Sequence, residues 1–232
     1  MHRFSFSPFQ AFADKSDDTL VIAFSREITN LDYHYGTKTE YLILGDMIDD
    51  SLFYVENENL TYAPSLASDF NVVDDVTLDV NLRQGVKFHD GSDFDAEDVK
   101  FSLMRVSANK SPAAKGISMI ESVEVVDTQT VKMKLSTSFA DLPLNLTDYR
   151  LRMLPSGSED TIAKTGIGTG PFMVDKFDAE GTTILKANPD YWEGAPGVAE
   201  VHIIAISDSQ ARVQALLSGQ IDMLRVIDYK QK

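Results

Sequence analysis

Apolar and polar positions change period several times along the chain, and each change marks an element. Thr19 to Phe24 (TLVIAF) is a continuous apolar run of strand length. Thr37 to Phe53 then sets Tyr41, Leu44, Ile48 and Leu52 at helical spacing, with Thr37 and Glu40 spaced as a capping box at its start. Two hairpins follow: Phe70 to Val73 with Val76 to Leu82 around Asp74-Asp75, and Val123 and Val125 with Val131, Met133 and Leu135 around Asp127-Thr128-Gln129. Ala140 to Leu146 reads as a short helix or turn, Leu151 to Leu154 as a strand, and Val201 to Ile206 as a strongly apolar strand. Asp208 caps a helix that runs to Ser218 and stops at Gly219, after which Ile221-Asp222-Met223 begins another strand.

The stretch from Leu82 to Arg105, LRQGVKFHDGSDFDAEDVKFSLMR, packs several signals together. Val80 and Leu82 end an alternating run, Gly85 breaks it, and Val86 and Phe88 restart it. His89-Asp90-Gly91 is a turn in which Gly91 takes positive φ. Asp95 stands where a helix N-cap belongs, Glu97 and Asp98 follow at the positive end of the helix dipole, and Val99, Leu103 and Val106 form one buried stripe.

The chain has 232 residues and is 43% hydrophobic, enough for a substantial core and too apolar for a disordered chain. With 21 basic and 36 acidic side chains the net charge is −15, which repels nucleic acid and anionic lipid. Cysteine is absent, which excludes disulfides, thiolate metal sites and thiol nucleophiles. No run reaches the roughly 18 apolar residues of a membrane-spanning helix, so no stable membrane insertion is expected. Ala11-Phe12-Ala13 before Asp14 resembles the small-residue site of an export signal, yet Met1 to Gln10 has no adequate apolar region. Residues 1–18 therefore read as a residual export signal or as a flexible terminus.

Reactive chemistry finds little footing. His2, His34, His89 and His202 share no metal-ligand spacing, and His89 reads as a turn residue. The acidic group Asp90, Asp93, Asp95, Glu97 and Asp98 lacks the glycine and the bidentate glutamate that a calcium loop needs. Gly166-Ile167-Gly168-Thr169-Gly170 is followed by Pro171 and an alternating run, whereas a dinucleotide loop opens a helix. No catalytic residue, metal site or cofactor is expected. Two places suit binding. Tyr33-His34-Tyr35-Gly36-Thr37 sets aromatic rings and a glycine before a helix N-terminus, whose free N–H groups can meet a carboxylate or carbonyl. Asp148-Tyr149-Arg150 carries both charges beside an aromatic ring.

The stretch L-R-x-G-V-K-F-H-D-G followed by A-x-D-V-x-F-S-x-x-R resembles the signature of the family 5 extracellular solute-binding proteins, the dipeptide, oligopeptide and nickel binders of ABC importers. Leu82, Arg83, Gly85, Val86, Lys87, Phe88, His89, Asp90, Gly91, Ala96, Asp98, Val99, Phe101, Ser102 and Arg105 match it. Further matches are Tyr62 to Ala67, the G-T-G-P-F of Gly168 to Phe172, Asn188, Tyr191, Trp192 and Gly194 of N-x-x-Y-W-x-G, and S-G-Q-I-D at Ser218 to Asp222. Leu31-Asp32 match the family's L-D-P, and Tyr33 replaces its proline.

The resemblance implies an α/β, mixed-sheet fold: lobe I of a two-lobed, type II-like periplasmic binding protein over residues 19–228, with lobe II lacking a counterpart. It implies a hinge near Val226, Ile227 and Asp228, with residues 229–232 beginning the next lobe, and both binding segments on the cleft side. The implied function is binding of peptides or another small polar solute for import, with an ABC permease and its ATPase as partners and a periplasmic or surface-attached location. A stand-alone structural or interaction domain derived from such a protein is the alternative.

Overall fold

The structure is a computed structural model and describes residues 18–56, 61–108, 111–138 and 140–224. The chain begins with β1 (Thr19–Phe24), a 3-10 turn (Tyr33–Tyr35) and α1 (Thr39–Ile48). Four strands follow, β2 (Phe53–Glu56), β3 (Thr61–Pro64), β4 (Ala67–Asp74) and β5 (Thr77–Leu82), and then α2 (Ala96–Ala108). After β6 (Ile120–Asp127) and β7 (Thr130–Leu135) come two single turns, α3 (Leu142–Asn145) and α4 (Ile162–Thr165). The described chain closes with β8 (Phe172–Lys176), β9 (Thr183–Ala187), β10 (Glu200–Ala205), α5 (Ser209–Leu217) and β11 (Met223–Leu224).

Two larger sheets carry these elements. One has the order β11-β1-β10-β9-β8, and the other β4-β5-β7-β6; β2 and β3 form a separate ribbon. In the five-stranded sheet β1 runs parallel to both β10 and β11, while β9 and β8 are antiparallel additions, so the sheet is mixed as expected. The four-stranded sheet is antiparallel throughout. Its strands alternate: Leu78, Val80, Leu82, Val131 and Met133 are buried, while the opposite face carries the pairs Lys132–Asp79 and Lys134–Glu124. That is the pattern of an antiparallel sheet with one wet face. Helix α2 closes the apolar face with Val99, Leu103 and Val106, all essentially inaccessible. Each such side chain stabilises the fold by roughly 1.5–3 kcal/mol relative to exposure. A second core joins α1, through Tyr41, Leu44 and Ile48, to β1, β9 and β10.

Both hairpins form where the alternation places them, and so do the strand over 201–205 and the helix capped by Asp208, whose side chain accepts from the Ala211 N–H at 2.7 Å. Asp95 caps α2 by accepting from the Glu97 N–H at 2.8 Å, and Asp98 reaches back to the Asp95 N–H at 2.9 Å. Gly91 takes φ 87° in its turn.

Five expectations need correction. The helix expected over Thr37 to Phe53 is shorter, because the Ile48 carbonyl accepts from the Gly170 N–H at 2.8 Å instead of continuing the helical ladder. Leu52 is buried but lies beyond the helix, and Phe53 opens β2. The Thr37–Glu40 capping box does not form: Lys38 is the N-cap residue, and Glu40 accepts from the Ser25 hydroxyl at 2.9 Å. Leu151 to Leu154 makes only an isolated bridge, Ser51 to Arg152, and Val86 to Phe88 likewise makes only Lys87 to Asp93. The last strand begins at Met223 rather than Ile221, which turns into the core instead.

Replacing Asp95 with alanine should lower stability by about 1 kcal/mol, the usual loss of an N-cap. Urea unfolding with and without calcium measures it, and calcium should change neither value.

Candidate functional site

The carboxyl end of β1 hands the chain to a loop that is held from behind by α2. Arg105 projects from that helix and donates to both oxygens of Asp32, at 3.0 and 2.6 Å. The same guanidinium lies 3.0 Å from His34 Nδ1 and 5.0 Å from the centre of the Tyr35 ring. Arginine has only donors, so Nδ1 must be the acceptor and the His34 proton sits on Nε2. Nε2 then donates to the Arg152 carbonyl at 2.9 Å. Burial, with Arg105 adding to it, pushes the imidazole down to about 4, so it is neutral at pH 7. The Ser111 hydroxyl also donates to the His34 carbonyl. The loop is held without the proline that Tyr33 replaces, by an ion pair and three side-chain hydrogen bonds.

The second segment meets the first. The Tyr149 hydroxyl donates to the Gly36 carbonyl at 3.1 Å, across 113 residues of sequence. Arg150 folds back on Asp148, at 2.8 and 2.5 Å, and lies over the Tyr149 ring with 4.9 Å to its centre. Arg152 is buried and ties the segment to α1: it donates to the Tyr149 carbonyl at 3.3 Å, to the Asp49 carbonyl at 3.1 Å, and to the Asp46 carboxylate. Gly36 has no room for a side chain, since a Cβ there would fall 2.8 Å from the Tyr41 ring.

The sequence-predicted residues thus separate into two layers. Tyr33 and His34 have no exposed surface and support the loop from within; neither presents a face to solvent. Tyr35, Asp148, Tyr149 and Arg150 are half-buried, Thr37 is exposed, and Gly36 contributes its carbonyl. The hinge residues Val226, Ile227 and Asp228 lie outside the described residues.

Next to Thr37 an open cavity of about 200 Å³ is lined by Phe24, Ser25, Arg26, Thr37, Lys38, Thr39 and Glu40. It sits at the carboxyl end of a parallel strand and the amino end of α1, the place where open α/β sheets bind ligands. Ser25, Arg26 and Lys38 went unnoticed in the sequence. The signal that points to them is the abrupt change from the apolar run ending at Phe24 to Ser25-Arg26-Glu27.

Beneath the loop, the remaining matched motifs hold one another. Asp50 accepts from the Thr169 hydroxyl at 2.9 Å, the Trp192 indole at 3.0 Å and the Tyr191 hydroxyl at 3.2 Å. Arg83 stacks on Trp192, 4.2 Å from the ring centre. His89 accepts from the Gly168 N–H at 3.2 Å and donates to the Gly170 carbonyl at 2.9 Å, so it clamps the glycine loop. A four-residue helix precedes that loop and strand β8 follows Pro171, which is not the frame of a nucleotide site. Asp49 is fully buried, with neither carboxyl oxygen hydrogen-bonded, and burial raises its pKa well above the usual carboxylate range.

Residues 61–232 match the family described as bacterial extracellular solute-binding proteins, family 5 Middle. The chain belongs to this family. It is 29% identical over 229 residues to the glutathione-binding protein GsiB of Escherichia coli K12, covering 95% of this chain and 44% of that one. Among solved structures it superposes on AgaA of A. tumefaciens R10, in complex with agropinic acid, with a TM-score of 0.81 and 29% identity, over 88% of this chain and 43% of that one. The oligopeptide-binding protein AppA of Bacillus subtilis, in complex with a nonapeptide, gives 0.77 and 29% over 88% and 43%. The chain therefore spans less than half the length of these relatives. No helix among the described residues is long and apolar enough to cross a membrane.

Two outcomes test the interior beneath the loop. Gly168→Ala and Gly170→Ala should each cost roughly 1–3 kcal/mol by overpacking. Neither glycine has positive φ; the reason is contact, since a Cβ would fall 2.1 Å from the Asp49 carboxylate at one and 2.5 Å from the Ile48 carbonyl carbon at the other. Saturable nucleotide binding that vanishes in these variants would contradict this. Asp49 gives a pH dependence. Its folded pKa is raised, so its contribution is fully present below the unfolded value of about 3.9 and is lost as pH rises toward the folded one. Asp49→Asn should therefore gain on the parent between pH 5 and pH 8, by up to about 1.4 kcal/mol per pH unit while the parent acid stays protonated. Urea midpoints at the two pH values measure it, and an unchanged difference rejects it.

Proposed function

We propose that this chain forms one wall of a solute-binding cleft and belongs to the binding component of an ABC importer for peptides or another small polar solute. Membership of a family of extracellular solute-binding proteins supports this reading, as do relatives named for binding glutathione and oligopeptides. The observation that carries it is the meeting of the two candidate segments. Tyr149 reaches the Gly36 carbonyl beside an open cavity whose lining mixes the charged Arg26, Lys38 and Glu40 with hydroxyls. Cavities of this kind suit a ligand with several polar ends rather than an apolar one.

In this role Tyr35, Gly36, Thr37, Asp148, Tyr149 and Arg150 face the solute, with Tyr33 and His34 as their supports. A second lobe closes over the solute through a hinge at Val226 to Asp228 and hands it to the permease and its ATPase. The location is the periplasm or the outer face of the cell membrane.

One wall cannot bury the 70–90% of a ligand's surface that tight small-ligand sites bury. The 232-residue chain alone should therefore bind weakly, with a Kd near the millimolar range. Titration with glutathione and with di- and oligopeptides, followed by NMR, should shift amides at 35–38 and 148–150 before any others. Shifts confined to another region, or none at about 10 mM, a concentration above the expected Kd, would reject this site. Submicromolar binding by a monomer would show that the wall is complete by itself.

A further inference from the structure

Three residues on one face of α2 hold two separate stretches of the chain. Asp98 accepts from the Ser156 N–H at 2.8 Å, Ser102 accepts from the Leu154 N–H at 2.8 Å, and one turn further on Arg105 holds Asp32 and His34. Of the two stretches they hold, 32–34 opens the first candidate binding segment and 154–156 follows the second. His34 completes the bridge between them through its contact with the Arg152 carbonyl.

We propose that Arg105 is a positioning residue for solute binding, fixing through a neutral His34 the register between the loop Tyr33–Gly36 and the segment Tyr149–Arg152. This rests on the solute-binding reading above. The residue touches no solute itself; it determines where Tyr35, Gly36 and Tyr149 stand relative to one another.

The argument is one of donors and acceptors. His34 accepts on Nδ1 and donates from Nε2, and both partners are fixed: the guanidinium has only donors and the carbonyl only lone pairs. A proton added at Nδ1 would set a donor and a positive charge against Arg105. The charged groups that act on the imidazole are Arg105 from α2 and Asp32 from its own loop, while Arg152 of the facing segment meets it through its backbone carbonyl. Asp46 and Asp49 in turn face Arg152, and Tyr35 and Glu159 face Arg105. Burial, with the Arg105 charge added to it, outweighs the Arg152 carbonyl and the Asp32 carboxylate, which both favour the imidazolium, in keeping with an imidazole that titrates near 4. The register of the two segments is thus stable across neutral pH and is released only in acid.

Hydrogen exchange on the full chain tests this in R105M and R105K, with R83M as a control in another anchoring arginine, which holds the Ser65 carbonyl and the Trp192 ring rather than residues 32–37. In R105M the amides at 33–38 and 150–153 should exchange at least about tenfold faster, while those of β5 and β7 change little. R105K, which can donate to one acceptor at a time, should restore part of the protection, and R83M should leave the loop unchanged. The His34 imidazole, followed by NMR, should titrate near 4 in the parent and move upward in R105M. A uniform acceleration over loop and sheet alike would make Arg105 merely structural and overturn the proposal. So would an unchanged loop, or a parent His34 that titrates like a free histidine. If R105M does not fold, R105K and the parent titration decide. Loop loosening in a chain that shows no solute response would retire the solute-binding reading and leave Arg105 as a fastening of the loop alone.

Discussion

The close passage of the glycine loop over the end of α1 is the constraint on which the rest depends. Gly168 and Gly170 lie so near Ile48 and Asp49 that no side chain fits between the two backbones. The Gly170 N–H takes the Ile48 carbonyl and so ends the helix. Two residues later Asp50 enters, and its carboxylate gathers Thr169, Tyr191 and Trp192. The larger core, under α2 and the antiparallel sheet, and the second core, between α1 and the mixed sheet, meet along this strip. A helix continuing to Phe53 would separate Asp50 from its three donors and leave the buried Thr169 hydroxyl without this acceptor, at a cost of about 1–3 kcal/mol.

That strip explains which parts of the fold were legible in the sequence. Elements whose ends are decided by local chemistry read correctly: both hairpins, the Asp95 and Asp208 caps, and the strand ending at Ala205. Elements ended by a distant partner did not. The α1 pattern continues through Leu52 because Leu52 is buried, yet its burial comes from the other core, and periodicity cannot tell which core buries an apolar residue. Leu151 to Leu154 is apolar for the same reason, being packed within the interior with a single bridge and no ladder. The matched motifs marked that these residues matter; that Asp50, His89, Trp192 and the glycines form one interlocked group became visible only in three dimensions.

The candidate site was half legible. Aromatic residues before a helix start and a charged pair beside a tyrosine identified two segments, and they do touch. Which side chains face outward was hidden, because a 3-10 turn at Tyr33–Tyr35 turns two successive residues inward, a period that neither helix nor strand patterns express. Ser25, Arg26 and Lys38 escaped notice because their part in the cavity depends on β1 and α1 converging at one end of the sheet.

The support behind that site is made of charge rather than of apolar packing, and the choice has a physical consequence. Apolar contacts tolerate sliding, since dispersion and burial depend weakly on direction. A guanidinium clamped on a carboxylate and an imidazole does not slide, because its fork matches one geometry. Arg105 and Asp32 are each largely withdrawn from water, so desolvation cancels much of their attraction and the pair adds little net stability. Breaking it from one side is another matter, leaving a buried charge uncompensated at about 3–5 kcal/mol. Together with Arg152, which bridges α1 to the second segment in the same directional way, this produces a wall whose parts keep their spacing. The solute-binding role proposed above, with closure by an opposite lobe, would call for such a wall, because polar groups that are to meet a solute must already stand in place when the second wall arrives.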